Sequence, residues 1–139
     1  MVSASLFALT EHAKIALGGA EYAIRQFPCR VGRESRKHDS PEKKALFADQ
    51  RSPANKPNND LYLVEETELI NVSREHFQID RAGGGFVLQD RGSTLGTIVE
   101  GRTVGGENAG GSVALRDGYV IIVGSPASPF VFKFRQTGK

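Results

Sequence analysis

Three short polar motifs contain the side chains best suited to bind an anion. They are GR at 32–33, SREH at 73–76 and DRGSTLGT at 90–97. Together they supply arginines, small hydroxyl groups, and glycines that leave backbone N–H groups accessible. Guanidinium, hydroxyl and amide groups are the donors that satisfy the oxygens of a phosphate or a carboxylate. The motifs therefore predict a site that binds an oxyanion.

Each motif adjoins a short stretch of β-branched and aromatic residues, which is the pattern of strands joined by tight turns. In FVFKF, for example, Phe130, Phe132 and Phe134 share one face of a predicted strand, and Lys133 lies on the other. The predicted strands are 4–9, 21–27, 29–32, 61–64, 76–81, 86–90, 97–99, 113–115, 119–123 and 130–134. We therefore predict an all-β sandwich, whose loops can converge at one end.

The segment 34–59 interrupts this pattern. It contains Pro41, Pro53 and Pro57, three of the six prolines, and few apolar residues outside 45–48. It is predicted to be a long loop inserted between two early strands, with one helical turn that Ser40 could cap.

The whole chain, 1–139, has the length of one domain. Because Cys29 is the only cysteine, no intramolecular disulfide can form. Cys29 is predicted to be a small buried apolar residue. No apolar run is long enough to span a membrane, and the first residues do not resemble a signal peptide. We therefore expect a cytoplasmic domain that does not associate with membranes.

The net charge of +2 is too small to indicate nucleic-acid binding, but it hides two opposite segments. Residues 33–56 carry seven basic and four acidic side chains, whereas residues 58–80 carry six acidic side chains and one arginine, Arg74. A single arginine in an acidic stretch points to a specific role.

The order of the motifs, followed by DGYVIIVG at 117–124, resembles the forkhead-associated (FHA) domain family. The resemblance covers nearly the whole chain apart from the predicted inserted loop. It implies an eleven-stranded β-sandwich that binds phosphothreonine peptides through loops at one end and has no catalytic activity. Arginine clusters are a known means of recognising such peptides, and the FHA domain is an established example.

The resemblance also implies a role for each matching residue. Ser73 would donate its hydroxyl to the phosphate, and Arg74 would contact the phosphate or the peptide backbone. Arg33 would hold the peptide main chain or the phosphate, and Thr94 would lie next to the phosphothreonine methyl group. His76 would brace the binding loops from behind.

Two glycines of the motifs, Gly32 and Gly96, would permit the backbone conformation of those loops. Ordinary structural interpretations remain for the polar residues. Arg33 could be a surface arginine, and the hydroxyl residues could bond within their own turns. Arg74 could offset neighbouring carboxylates, and for His76 a structural role is favoured.

The chain departs from the family pattern at two positions that usually hold asparagine. Leu95 replaces the asparagine that follows the threonine of the third motif, and Glu100 replaces a second one in VEG at 99–101. Leucine cannot form the side-chain hydrogen bonds of asparagine with a peptide backbone. We expect weaker binding or altered selectivity downstream of the phosphothreonine, or contact between Leu95 and an apolar ligand residue.

The leading hypothesis is therefore a phosphothreonine reader whose partner is a Ser/Thr kinase or a kinase substrate. The alternative is an interaction scaffold of the same fold that does not need phosphorylation; a nucleic-acid tether within 33–56 is disfavoured. No metal site is predicted, since His12, His38 and His76 lack metal-ligand spacing. No cofactor and no set of catalytic residues is predicted either. The sequence does not indicate an oligomeric state.

Overall fold

Two β-sheets and one short helix make up the protein in a computed structural model that describes residues 3–33, 59–64, 71–107 and 109–137. The predicted all-β sandwich is confirmed, and the described residues include eleven strands. The predicted inserted loop and its helical turn lie outside the described residues, apart from Asn59. The strands are β1 (Ser3–Ala8), β2 (Glu21–Ile24), β3 (Cys29–Arg33), β4 (Leu61–Leu63), β5 (Phe77–Ala82), β6 (Gly85–Asp90), β7 (Thr97–Val99), β8 (Arg102–Val104), β9 (Gly111–Leu115), β10 (Val120–Val123) and β11 (Val131–Thr137).

The strands form one six-stranded sheet and one five-stranded sheet. The first has the order β2-β1-β11-β10-β7-β8, and the second has the order β4-β3-β5-β6-β9. Among the paired strands, β3 and β4 are parallel and the other pairs are antiparallel. Parallel strands cannot be joined by a tight turn and need a long connection. In the sequence, β3 and β4 are separated by residues 34–60, which is long enough.

Alternating apolar side chains from the two sheets meet in the core. In β11, Phe132 and Phe134 are fully buried and Lys133 between them is only partly buried, as the FVFKF alternation predicts. From the other sheet, Phe77, Ile79 and Leu88 are also fully buried. Each side chain of this size contributes about 1.5–3 kcal/mol through burial. This core holds the strand ends that carry the motifs.

One helix, α1 (Glu11–Leu17), was not predicted. Its N-cap is Thr10, whose hydroxyl accepts a hydrogen bond of 3.2 Å from the Ala13 N–H. It ends at Gly18, which adopts the left-handed conformation with φ of 74°. This threonine and glycine are typical helix boundary signals. None of the described residues form a helix with the length and apolar character needed to cross a bilayer.

The strand register brings the three motifs to one end of the second sheet. Val31 pairs with Phe77, and Phe77 pairs with Asp90. The end of β3, the start of β5 and the end of β6 are therefore neighbours. The described segments before β5 (71–76) and after β6 (91–96) meet each other and the end of β3 at this end of the sandwich.

Candidate functional site

An open cleft of about 690 Å³ lies where these segments meet. All five residues predicted to contact a ligand line it. Among the described residues, its lining is Arg33, Asn71, Val72, Ser73, Arg74, Glu75, Arg91, Gly92, Thr94 and Leu95. The structure thus brings together side chains that are up to sixty-two positions apart in the sequence.

Ser73 connects the three motifs through hydrogen bonds. Its hydroxyl oxygen accepts a bond of 3.0 Å from the Thr94 N–H, and its carbonyl accepts one of 2.9 Å from the Arg33 N–H. Because the hydroxyl oxygen acts as an acceptor here, its hydrogen is still able to donate. Ser73 can therefore hold the cleft together and also serve a ligand.

His76 joins two of the loops from the buried side. It has no exposed surface, and its Nδ1 accepts a 2.9 Å hydrogen bond from the Ser73 N–H. Its Nε2 lies 2.7 Å from the Gly96 carbonyl, which can only accept. The ring therefore carries its proton on Nε2 and is neutral in this arrangement.

Asp90, which the sequence analysis did not select, shapes the third motif from within. Its carboxylate is buried and accepts bonds from the N–H groups of Gly92 and Ser93, at 3.0 and 2.8 Å. It also accepts from the hydroxyls of Ser93 and Thr97, at 2.6 and 3.0 Å. The Ser93 hydroxyl in turn accepts from the Gly96 N–H at 3.0 Å. An aspartate two and three residues before these donors is a recognisable turn signal.

Two glycines are required for different reasons. A Cβ on Gly32 would lie 1.9 Å from the Arg74 carbonyl oxygen, so the two loops could not approach each other as they do. Gly96 has φ of +84°, a conformation that residues with a Cβ rarely adopt. Substitution at either position would therefore disturb the cleft.

Arg33 and Arg74 place positive charge in the cleft. Within the described residues, neither guanidinium forms a hydrogen bond or an ion pair. The alternative in which Arg74 offsets nearby carboxylates thus has no ion pair to support it in the described part of the chain. Both charges face a cleft that also contains the hydroxyls of Ser73 and Thr94.

A third arginine of the cleft, Arg91, was missed. Its Nη1 donates to Asn59 Oδ1 at 2.6 Å, and its Nη2 lies 3.6 Å from Glu75 Oε2. Burial lowers the pKa of Arg91, which nevertheless stays charged, as arginine does in proteins. The available signal was its position inside the third motif, which also contains Thr94 and Leu95, two residues predicted to contact the ligand.

Comparison with protein families matches residues 29–124, more than half of the chain, to the FHA domain. The chain belongs to the FHA domain family. The resemblance stated from the sequence motifs is thereby confirmed. FHA domains are interaction modules rather than enzymes.

Solved FHA structures share the fold of this chain. The FHA domain of the CT664 protein from Chlamydia trachomatis is 20% identical with a TM-score of 0.58, and the match covers 98% of this chain and 99% of that one. The kinase-interacting FHA domain of the Arabidopsis kinase-associated protein phosphatase, KAPP, is 21% identical with a TM-score of 0.62, covering 99% and 96%. Mycobacterium tuberculosis EmbR, in complex with a low-affinity phosphopeptide, is 22% identical with a TM-score of 0.57, covering 99% and 25%. Comparison with curated proteins found no match.

The two departures of this FHA domain from the family pattern lie in different places. Leu95 lines the cleft, and 42% of its surface is exposed. Glu100 does not line the cleft but begins the tight turn between β7 and β8, with φ of 50°. Its N–H donates to the Val120 carbonyl at 3.0 Å, and its carboxylate accepts from the Val120 N–H at 2.7 Å. Glu100, which replaces the second asparagine of the family pattern, therefore stabilises the β7–β8 turn and is not part of the described lining of the cleft.

Cys29 is a buried residue of β3 in this FHA domain. Burial raises the pKa of its thiol to about 12, so the thiol stays protonated at neutral pH. Among the described residues, no group of three His, Cys, Asp or Glu side chains is placed to hold a metal ion.

Proposed function

We propose that this FHA domain binds phosphothreonine-containing proteins in cytoplasmic Ser/Thr kinase signalling. The observation that carries the proposal is that the guanidinium groups of Arg33 and Arg74 have no hydrogen-bond or ion-pair partner within the described residues and share a cleft with two hydroxyl groups. A phosphothreonine brings a charge of about −1.5 to −2 and three strong acceptor oxygens. Guanidinium and hydroxyl donors match both properties.

Each cleft residue has a role in this proposal. Ser73 donates its free hydroxyl hydrogen to the phosphate, and Arg33 and Arg74 contact the phosphate or the ligand main chain. Thr94 lies next to Ser73 through their 3.0 Å hydrogen bond and faces the methyl group of the phosphothreonine. His76 contacts no ligand but keeps the loops in place.

The partner in this proposal is a Ser/Thr kinase or one of its substrates. Two similar solved structures support this choice of partner: EmbR is complexed with a phosphopeptide, and the KAPP domain is described as kinase-interacting. Phosphate recognition by arginine clusters is a general mode of peptide binding. The structure of this chain supplies such a cluster.

Leu95 gives the cleft an apolar rim next to the phosphate-binding residues. Its side chain is exposed, although the adjacent residues Thr94 and Gly96 are held by hydrogen bonds to Ser73 and Ser93. Covering an exposed leucine is favourable by about 25 cal/mol per Å² of apolar area. We therefore expect preference for ligands with an apolar residue near the phosphothreonine.

The test is calorimetric titration with a peptide library in three matched forms, carrying phosphothreonine, phosphoserine or unmodified threonine. We expect the phosphothreonine form to bind at least tenfold more tightly than the others, and Arg33→Ala to remove most of this difference. Arg102→Ala is the control, because Arg102 is an exposed residue of β8 outside the cleft. Equal binding of the three peptide forms would overturn the proposal.

The second candidate is an interaction scaffold that needs no phosphorylation, which the exposed Leu95 favours. It predicts that a partner captured from a cell extract stays bound after phosphatase treatment. Release of that partner by phosphatase would exclude the scaffold and support phosphate recognition.

A further inference from the structure

Asn59 is a buried polar residue outside every motif that the sequence analysis selected. It directly follows residues 34–58, which the structure does not describe, and 2% of its surface is exposed. Its Nδ2 donates to the Arg74 carbonyl at 2.7 Å, and its Oδ1 accepts from the Arg91 guanidinium at 2.6 Å. Its backbone N–H donates to the Tyr62 hydroxyl at 3.2 Å. Both polar atoms of its side-chain amide are therefore hydrogen-bonded.

The two partners determine which side chain fits at this position. An arginine side chain can only donate hydrogen bonds, and a carbonyl can only accept them. Asparagine has one donor group and one acceptor group and satisfies both partners at once. Aspartate would present an acceptor to the Arg74 carbonyl, and an apolar residue would leave both partners unsatisfied.

Asn59 also packs tightly against the first motif. A Cβ placed on Gly32 would lie 2.7 Å from Asn59 Nδ2. The amide is thus enclosed between β3 and the loop that carries Arg74, and it has little room to move. A rigid acceptor in this position fixes the guanidinium that it binds.

Arg91 is held from two sides at the edge of the cleft. Asn59 binds one end of its guanidinium, and the carboxylate of Glu75 lies 3.6 Å from the other. Its side chain is 14% exposed, so it lines the cleft without extending into solvent. Orienting a charged group before the ligand arrives lowers the entropy lost on binding.

We propose that Asn59 is a positioning residue that holds Arg91 as a third guanidinium for the phosphorylated ligand. The contact with the Arg74 carbonyl anchors the other end of the amide. This inference rests on the proposed function, because the ligand contacted by Arg91 is the phosphopeptide. It adds a residue from outside the motifs to the binding site.

The test is a double-mutant cycle on the affinity for a phosphothreonine peptide, measured by calorimetry. Asn59→Ala and Arg91→Ala are each expected to weaken binding about tenfold, the effect of losing one well-oriented charged contact. Because Asn59 acts through Arg91, the double variant is expected to bind as weakly as Arg91→Ala alone, within about twofold. If Asn59 had a purely structural role, the two losses of affinity would instead multiply in the double variant.

The matched control is Gln26→Ala, which removes a 3.2 Å hydrogen bond to the neighbouring residue Asp60 without touching the cleft. We expect its affinity to equal that of the wild type. If Asn59→Ala does not fold, Asn59→Ser enters the same cycle, since it is too short to reach Arg91 but keeps a polar group.

Multiplied losses in the double variant, or unchanged affinity in the Asn59 variant, would overturn the inference while leaving the proposed function intact. Wild-type protein that binds phosphorylated and unphosphorylated peptides equally would overturn both.

Discussion

Two sets of polar side chains occupy the same end of the sandwich, one below the cleft and one facing it. Below it, Asp90, His76 and Asn59 are buried, and each is hydrogen-bonded at both ends of its polar group. Facing it, the guanidinium groups of Arg33 and Arg74 form no hydrogen bond or ion pair with other described residues. The buried set gives the loops their shape, and the facing set is left to contact a ligand.

The difference between the two sets has an energetic basis. A buried polar group without a partner costs about 1–3 kcal/mol, so the lower set must be satisfied within the protein. An exposed guanidinium is satisfied by water and can exchange that water for a ligand. Changes in the lower set should therefore reduce stability, whereas changes to the facing arginines should reduce only affinity.

The largest effect is expected for Asp90→Ala. Two N–H groups and two hydroxyls would lose their acceptor, which is expected to lower the free energy of unfolding by about 3 kcal/mol or more. Urea denaturation measures this loss. Thr97→Val, which removes one of the four bonds, is the control and should cost about 1 kcal/mol. An Asp90 variant no less stable than this control would contradict the role assigned to the carboxylate.

Ser73→Ala should reduce both stability and affinity, because the Ser73 hydroxyl bonds to another loop, as the lower set does, and also lines the cleft, as the facing set does. Loss of its bond to the Thr94 N–H should lower stability by about 1 kcal/mol, and loss of its hydroxyl donor should weaken phosphopeptide binding about tenfold. Denaturation and calorimetry on the same preparation separate the two effects. Ser73→Thr keeps the hydroxyl and should retain most of both. Reduced stability with unchanged affinity would place the Ser73 hydroxyl in the lower set alone.

Glu100→Ala should lower stability modestly and leave affinity unchanged. The variant loses the bond to the Val120 N–H, which is worth about 0.5–1.5 kcal/mol, but changes nothing in the cleft. Leu95→Asn is the opposite case, with unchanged stability and altered peptide preference. A change in peptide affinity above twofold for Glu100→Ala would show that the β7–β8 turn takes part in binding.

The smallest effect concerns Asp60, which pairs with Arg30 through a 3.0 Å contact away from the cleft. Burial raises the pKa of Asp60, but hydrogen bonds from Arg30 outweigh it, and the net pKa is lowered. A carboxylate with a lowered folded pKa adds stability that is complete above its unfolded pKa of about 3.9 and is lost as the pH falls through the folded value. Urea denaturation between about pH 5 and pH 2 should show a steeper loss of stability for the wild type than for Asp60→Asn. Parallel curves would refute this assignment.

Much of the fold could be predicted from the sequence because strands with one buried face alternate in hydrophobicity. Ten of the eleven described strands were predicted, with ends that differ by a few residues. The strand Arg102–Val104 was missed because two of its three residues are exposed and polar or charged. The helix Glu11–Leu17 was missed because it is short and buries one residue, Ala13, which gives no clear period.

The candidate site was predictable to the extent that its residues lie in contiguous motifs. Arg33, Ser73 and Thr94 belong to such motifs, and the cleft contains all three. Asn59 lies in no motif, and its partner Arg91 is thirty-two positions away. No local pattern marks a contact over that distance.

Residue types and their periods in the sequence determined that this chain forms a β-sandwich with donor-rich loops, since these features depend on neighbouring residues. The tertiary structure decided which arginines face the cleft, where Leu95 and Glu100 lie, and which buried groups hold the loops. Those outcomes depend on strand register, because pairing Val31 with Phe77 and Phe77 with Asp90 brings distant segments together. The sequence shows where the arginines are, but the packing of the sheets determines which groups each of them contacts.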